Sequence, residues 1–201
     1  MINNRRARAS GAARFKAEKP SAAGLSSAAL NAHLHSRALR ILAMRECSVA
    51  KLRSKLIEEA SKLTAQSTPD SSVEQGEQLE IIESVLASLE QESYVSDARF
   101  SEVRSRSLSG RGKGQRVIAQ KLSEDGVPRD INRAQMQALA IDIDWGANAL
   151  ALLVRKFSKL SVLDTAQRAK AQRFLASRGF DFAAIRFAVQ QFAGANAEIG
   201  A

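Results

Sequence analysis

The chain has 201 residues, 45% of them hydrophobic, and carries 30 Lys and Arg against 21 Asp and Glu, for a net charge of +9 and a pI near 10.2. That length suits one or two domains, the single Cys47 excludes an internal disulfide or a paired-thiol metal motif, and no apolar run reaches the roughly eighteen residues of a membrane span. The basic N-terminus is followed by no apolar stretch, which excludes a secretory signal; a lone thiol suits a reducing cytoplasm, and the excess of cations points to a polyanionic partner, direct or indirect.

Residues 1–35 are rich in Arg, Ala, Ser and Gly and lack periodicity, which reads as a disordered basic arm. Leu39, Ile41 and Leu42 begin a short helical pattern over 36–44. Ser48 fits an N-cap, and Leu52, Leu56 and Ala60 recur at four-residue steps behind it. Residues 61–77 contain Thr68-Pro69-Asp70-Ser71-Ser72 and read as an inserted loop. Leu79, Ile82, Leu86 and Leu89 then mark one helix face. Six further helices are predicted: 97–108, 115–124, 130–140, 144–157, 165–178 and 182–192, the last with Phe182, Ile185, Val189 and Phe192 on one face. No segment reads as a strand.

Grouped by threes, the helices repeat. The middle helix of each group has a Leu followed four positions later by a small residue: Leu56/Ala60, Leu122/Gly126 and Leu175/Gly179. Gly126 and Gly179 fit the left-handed position that ends a helix. The chain is thus expected to be all-α: three tandem three-helix repeats in an extended, curved molecule. Their bounds are 36–95, 96–142 and 143–193, preceded by the arm 1–35 and followed by a flexible tail 194–201. Each repeat is too small to bury its own core alone and needs its neighbour.

Charge is segregated. Between 58 and 102, eleven acids face only Lys62 and Arg99; from 103 to 121 there are six cations, Arg104, Arg106, Arg111, Lys113, Arg116 and Lys121, and no acid. From 155 to 178, Arg155, Lys156, Lys159, Arg168, Lys170, Arg173 and Arg178 stand against Asp164. The segment SLSGRGKGQR within the first strip lacks the hydroxyl that follows Lys in a phosphate loop and the spacing of a dinucleotide fingerprint. It reads as a helix–helix turn, its glycines freeing the backbone and its cations forming a basic strip at a helix N-terminus.

No catalytic or metal constellation is expected. His33 and His35 fall in the arm without further ligands, Cys47 has no local base, and Asp142 and Asp144, two apart, point to different helix faces. Asp144 fits a cap. Phe100, Phe180 and Trp145 read as core, and Tyr94 as a staple onto the helix after it.

Several segments resemble the RecX regulatory proteins: Arg37-Ala38-Leu39 with Leu42-Ala43-x-Arg45-Glu46-x-Ser48 and Leu52-x-x-Lys55-Leu56; Tyr94-Val95-Ser96-Asp97-x-Arg99-Phe100; Gly112-x-Gly114-x-x-Arg116-Val117-Ile118 with Leu122 and Gly126; and Phe174-Leu175-x-x-Arg178-Gly179-Phe180. The resemblance runs from about 37 to 192. Departures are Cys47 for a frequent His, Val49 for a polar residue, Ser101 for Ala and Asp181 for Ser, all read as swaps at capping or surface positions. The resemblance implies a non-catalytic, cofactor-free modulator that lies in the groove of the RecA–DNA filament and mainly inhibits RecA in recombination, repair and the SOS response. RecA is then the expected partner, with weak binding to single- or double-stranded DNA. No heptad seam long enough for a coiled-coil dimer is present, so a monomer is expected. The alternative is an independent nucleic-acid-binding protein built from helix-turn-helix-like units.

Overall fold

The computed structural model describes residues 26–65, 73–157 and 164–198. Among them are nine helices and no strand: α1 (Ser27–Met44), α2 (Val49–Thr64), α3 (Gln75–Gln91), α4 (Asp97–Gly110), α5 (Gln115–Glu124), α6 (Arg129–Asp142), α7 (Trp145–Lys156), α8 (Thr165–Arg178) and α9 (Phe182–Glu198). They pack by threes in chain order, α1–α3, α4–α6 and α7–α9.

Polar side chains start most of the helices. Ser26, Ser48, Ser96, Asp144 and Asp164 each accept a backbone N–H from the first turn of the helix that follows. Each removes one of the orphan donors of a helix N-terminus. Asp164 and Gln167 complete a reciprocal capping box, and Asp181 caps α9 by accepting from the Ala184 N–H at 2.8 Å.

The first helix starts at Ser27, well inside the stretch expected to be an unstructured arm. Leu30, Leu34, Ala38 and Ile41 recur every three or four residues and are buried, so residues 27–35 belong to the first unit. His33 lies on this helix, its Nε2 3.3 Å from the Glu59 carboxylate on α2. Residues 1–25 lie outside the described residues. The expected loop at 61–77 is shorter than its reading: α2 continues to Thr64 and α3 begins at Gln75, while 66–72 are outside the described residues. At the other end α9 runs on to Glu198, through most of the expected tail.

Two apolar cores result. One belongs to the first unit and holds Leu34, Leu52, Leu56, Ile82, Leu86 and Val95. The other runs without a break through the second and third units, from Phe100, Ile118 and Leu122 to Trp145, Leu153, Leu175 and Phe180. Phe100 and Phe180 are therefore core residues, and Trp145 meets Phe180 edge-on with ring centroids 6.4 Å apart. Three expectations fail on burial. Tyr94 and Leu79 are about half exposed, and Phe182 is 76% exposed. Val95 is buried in place of Tyr94, in the core of the first unit, and Ala184 and Ala188 take the inward face of α9 beside Ile185 and Val189.

Candidate interaction surface

The three middle helices, α2, α5 and α8, stand end to end. The N-terminus of α2 meets the C-terminal end of α5: the Ser48 hydroxyl donates to the Asp125 carbonyl, and Gly126 lies against Ala50. The N-terminus of α5 meets the C-terminal end of α8 in the same way: Gly114 N–H donates to the Arg178 carbonyl at 2.9 Å, and Arg116 N–H to that of Gly179 at 3.0 Å. At the α5–α8 junction backbone donors of one helix start thus meet carbonyls at the end of another, at the α2–α5 junction the N-cap hydroxyl does so, and in both a positive dipole end faces a negative one. Leu56, Leu122 and Leu175 are fully buried on these helices. Gly126 and Gly179 sit at the two junctions with φ of 81° and 89°, a region open at low cost only to glycine.

The two junctions differ in chemistry. Between the first and second units it is ionic. Asp125, with its side chain 6% exposed, receives Lys51 on one carboxylate oxygen and Arg104 on the other, the latter at 2.9 Å. Arg99 pairs with Glu46 at 2.7 Å, and Asp97 accepts the Val49 N–H at 3.0 Å. Burial pushes the Asp97 carboxyl above its ordinary range, against the lowering effect of that hydrogen bond. Between the second and third units the junction is apolar apart from those two backbone hydrogen bonds and one side-chain amide. With its amide turned to satisfy both neighbours, Gln115 accepts from Trp145 Nε1 at 2.8 Å and donates to Asp181 at 3.0 Å. Gly112, φ 70°, leaves room for the Leu152 side chain.

The basic strip of 104–121 divides in this setting. Arg104 is not a free surface cation, because it supports the buried Asp125. Arg106 and Lys121 pair with Glu102 and Glu124 one helical turn away, exposed contacts that water and salt screen. Arg111, Lys113 and Arg116 make no ion pair among the described residues. They lie on the turn and first helical residues that dock against the third unit. Arg155 of α7 joins them by lining a notch with Ser109, Gly110, Gly112 and Asn148. Lys156 and Arg178 gather instead around the Phe174 ring, at 6.0 and 5.3 Å from its centroid. Arg173 is exposed on α8, and Lys159 is outside the described residues.

Sequence reasoning missed Asp125 and Gln115, which hold the units together. Asp125 precedes the helix-ending Gly126, but nothing local marks it as the partner of Lys51. Of the departures from the family pattern, Asp181 is a cap, whereas Ser101 is buried rather than at the surface. Cys47 is also buried, and burial raises its thiol pKa. Among the described residues no group of three or more His, Cys, Asp or Glu is placed to hold a metal, and no single helix is long and apolar enough to cross a membrane.

Tandem three-helix units, stacked through helix ends and bearing at a seam cations unpaired among the described residues, define a repeat-built protein with an extended surface. Two family models match it: "RecX, third three-helix domain" over residues 143–189 and "RecX, second three-helix domain" over 96–134. The chain is 36% identical over 154 residues to a regulatory protein RecX of Serratia proteamaculans, covering 73% of this chain and 90% of the relative. It is 36% identical over 152 residues to that of Chromohalobacter salexigens, covering 76% and 88%. The crystal structure of RecX from Lactobacillus salivarius shares the fold, with a TM-score of 0.62 at 19% identity over 82% of this chain and 97% of that one. A second RecX crystal structure aligns with a TM-score of 0.58 at 16% identity, covering 81% and 72%. The chain belongs to the RecX family of regulatory proteins.

Proposed function

We propose that this chain is a cytoplasmic, non-catalytic modulator that lies in the groove of the RecA–DNA filament and mainly inhibits RecA in recombination and repair. Membership of the RecX family supports the regulatory role. The observation that carries the contact surface is the set Arg111, Lys113, Arg116 and Arg155, cations at the seam of the second and third units without an ion-pair partner among the described residues. Arg111, Arg116 and Arg155 are exposed and Lys113 partly so, and a charge not already answered by an acid is the one available to a phosphate or a carboxylate.

The mechanism is steric and electrostatic. A monomer whose units are joined end to end spans neighbouring protomers. Its weak contacts then add through effective concentration. DNA alone is bound weakly.

The test is RecA ATP hydrolysis on single-stranded DNA, titrated with this chain from substoichiometric ratios upward, beside a DNA-only binding assay. A fall at ratios too low to coat the DNA supports action on the filament. A fall only at saturation of the DNA means competition for the lattice, and the reading as an independent nucleic-acid-binding protein takes its place.

A further inference from the structure

Beside the ionic junction of the first and second units a groove of about 430 Å³ opens. Its floor is apolar: Phe100 and Val103 from α4 and Cys47 from the turn between α1 and α2. Val103 is 53% exposed there. Its rim is basic, with Arg45 from the end of α1, Lys51 and Lys55 one turn apart on α2, and Arg104 on α4. Lys51 and Arg104 are matched by Asp125, and the one lining acid, Glu46, is held by Arg99. Arg45 and Lys55 make no ion pair among the described residues. Both lie close enough to Cys47 to favour its thiolate, though burial outweighs them. The groove therefore combines one exposed apolar side chain, Val103, beside the edges of the buried Phe100 and Cys47, with two cations that no acid among the described residues answers.

Charge complementarity asks for an occupant with an apolar centre and anionic flanks. Nucleic acid meets the charge but not the floor. Phe100 is only 7% exposed, so it offers no ring face for a base to stack on, and single-strand binding rests on such platforms. The volume suits one or two side chains rather than a length of strand.

We propose that this groove receives a short acidic segment of a partner protein. One apolar side chain of the segment seats against Val103 and Phe100, and flanking carboxylates pair with Arg45 and Lys55. The inference rests on the reading of the chain as a protein-binding regulator, and it adds a second contact, at the junction of the first and second units rather than that of the second and third. An anchor in a pocket ringed by polar contacts is the usual anatomy of a binding hot spot.

The experiment uses the full chain and a fluorescent, end-blocked peptide of sequence Glu-Asp-Leu-Asp-Glu, followed by anisotropy. Saturable binding is expected, weakened about tenfold when Leu is replaced by Ser in the peptide, and about tenfold in the variants Val103→Asp and Arg45→Glu. Both positions are exposed, so circular dichroism should report unchanged helix content. Equal binding of the Leu and Ser peptides overturns the proposal. So does wild-type binding in Val103→Asp, or displacement of the peptide by an oligothymidylate of equal charge with no loss when Leu is replaced by Ser. RecA hydrolysis is measured on the same preparations. A peptide that fails to bind, with hydrolysis still restrained, overturns the groove and leaves the regulatory function standing. Peptide binding with no restraint of hydrolysis supports the groove and overturns the function.

Discussion

Gly114 donates its backbone N–H to the carbonyl of Arg178 at 2.9 Å, so the start of α5 is seated on the end of α8. A Cβ at Gly114 would lie far inside van der Waals contact with the backbone of Gly179 and Phe180. Backbone on both sides cannot turn away as a flexible side chain can. Gly114→Ala is therefore expected to part the second and third units and to lower stability by about 1–3 kcal/mol, the usual range for overpacking. Gly110→Ala is the control. It stands at the end of α4 with open space around it, and is expected to be neutral or to stabilise by about 0.5 kcal/mol. Urea unfolding followed by helix signal and by Trp145 fluorescence compares the two.

Asp125 governs the other junction. It is a buried carboxylate between Lys51 and Arg104, and such a group matters most when one side of the pairing is removed. Asp125→Ala leaves Arg104, itself only a third exposed, without its anion. A loss of about 3 kcal/mol is expected from breaking a pair of this kind. The double variant Asp125→Ala with Arg104→Met is expected to recover part of it, since the only cation then left without its anion is Lys51, which is nearly half exposed to water. Thermal unfolding of the single and double variants measures the difference, and equal stability of the two would mean that Arg104 finds water instead.

The sign of a pH effect follows from Asp97. Its carboxyl accepts the Val49 N–H at the start of α2, a place that favours negative charge, yet burial outweighs this and raises its pKa. A carboxyl with a folded pKa above its unfolded value holds its proton more tightly in the folded chain. Ionised, it subtracts from stability, and the deficit is recovered as pH falls through the raised pKa. Asp97→Asn keeps an acceptor oxygen without the charge. It is expected to be at least as stable as the parent chain at neutral pH, with that lead shrinking as pH is lowered towards about 4. Asp97→Ala loses the acceptor and is expected to cost about 1 kcal/mol. Urea midpoints across that pH range test all three chains.

The helices and their grouping were legible because they rest on local rules. Leu52, Leu56 and Ala60 at four-residue steps declare a buried face, and Ser48 and Asp144 declare helix starts. The early start of α1 was masked by a stretch of Ala, Ser and His in which Leu30 and Leu34 are the only large apolar residues before Leu39. That is too sparse a pattern to stand out from a basic arm. The strip at 104–121 was visible as charge but not as structure. Whether a cation is free depends on where a distant acid lies, and Asp125 meets Lys51 from 74 positions away. The junctions were half legible: Gly126 and Gly179 signalled helix ends, but only the packed fold brings Gly114 against Gly179.

That division of the strip makes its cations separable by experiment. Arg111, Lys113 and Arg116 have no ion-pair partner among the described residues, whereas Arg106 and Lys121 each share an exposed pair within their own helix. Reversing Arg111, Lys113 and Arg116 together to Glu is expected to leave helix content intact, because none of the three side chains is in the core. It is expected to weaken the restraint of RecA hydrolysis at least several-fold. Reversing Arg106 alone is expected to do less, since its charge is already partly answered by Glu102. If the partner groups are phosphates, the residual affinity of the triple variant should also fall less steeply with salt, by about one unit of logarithmic slope for each phosphate no longer neutralised. If they are carboxylates of a protein surface, affinity drops without that counterion signature. A folded triple variant with full activity would remove the strip from the mechanism and leave Arg155 and the groove beside Val103 as the remaining surfaces for a partner.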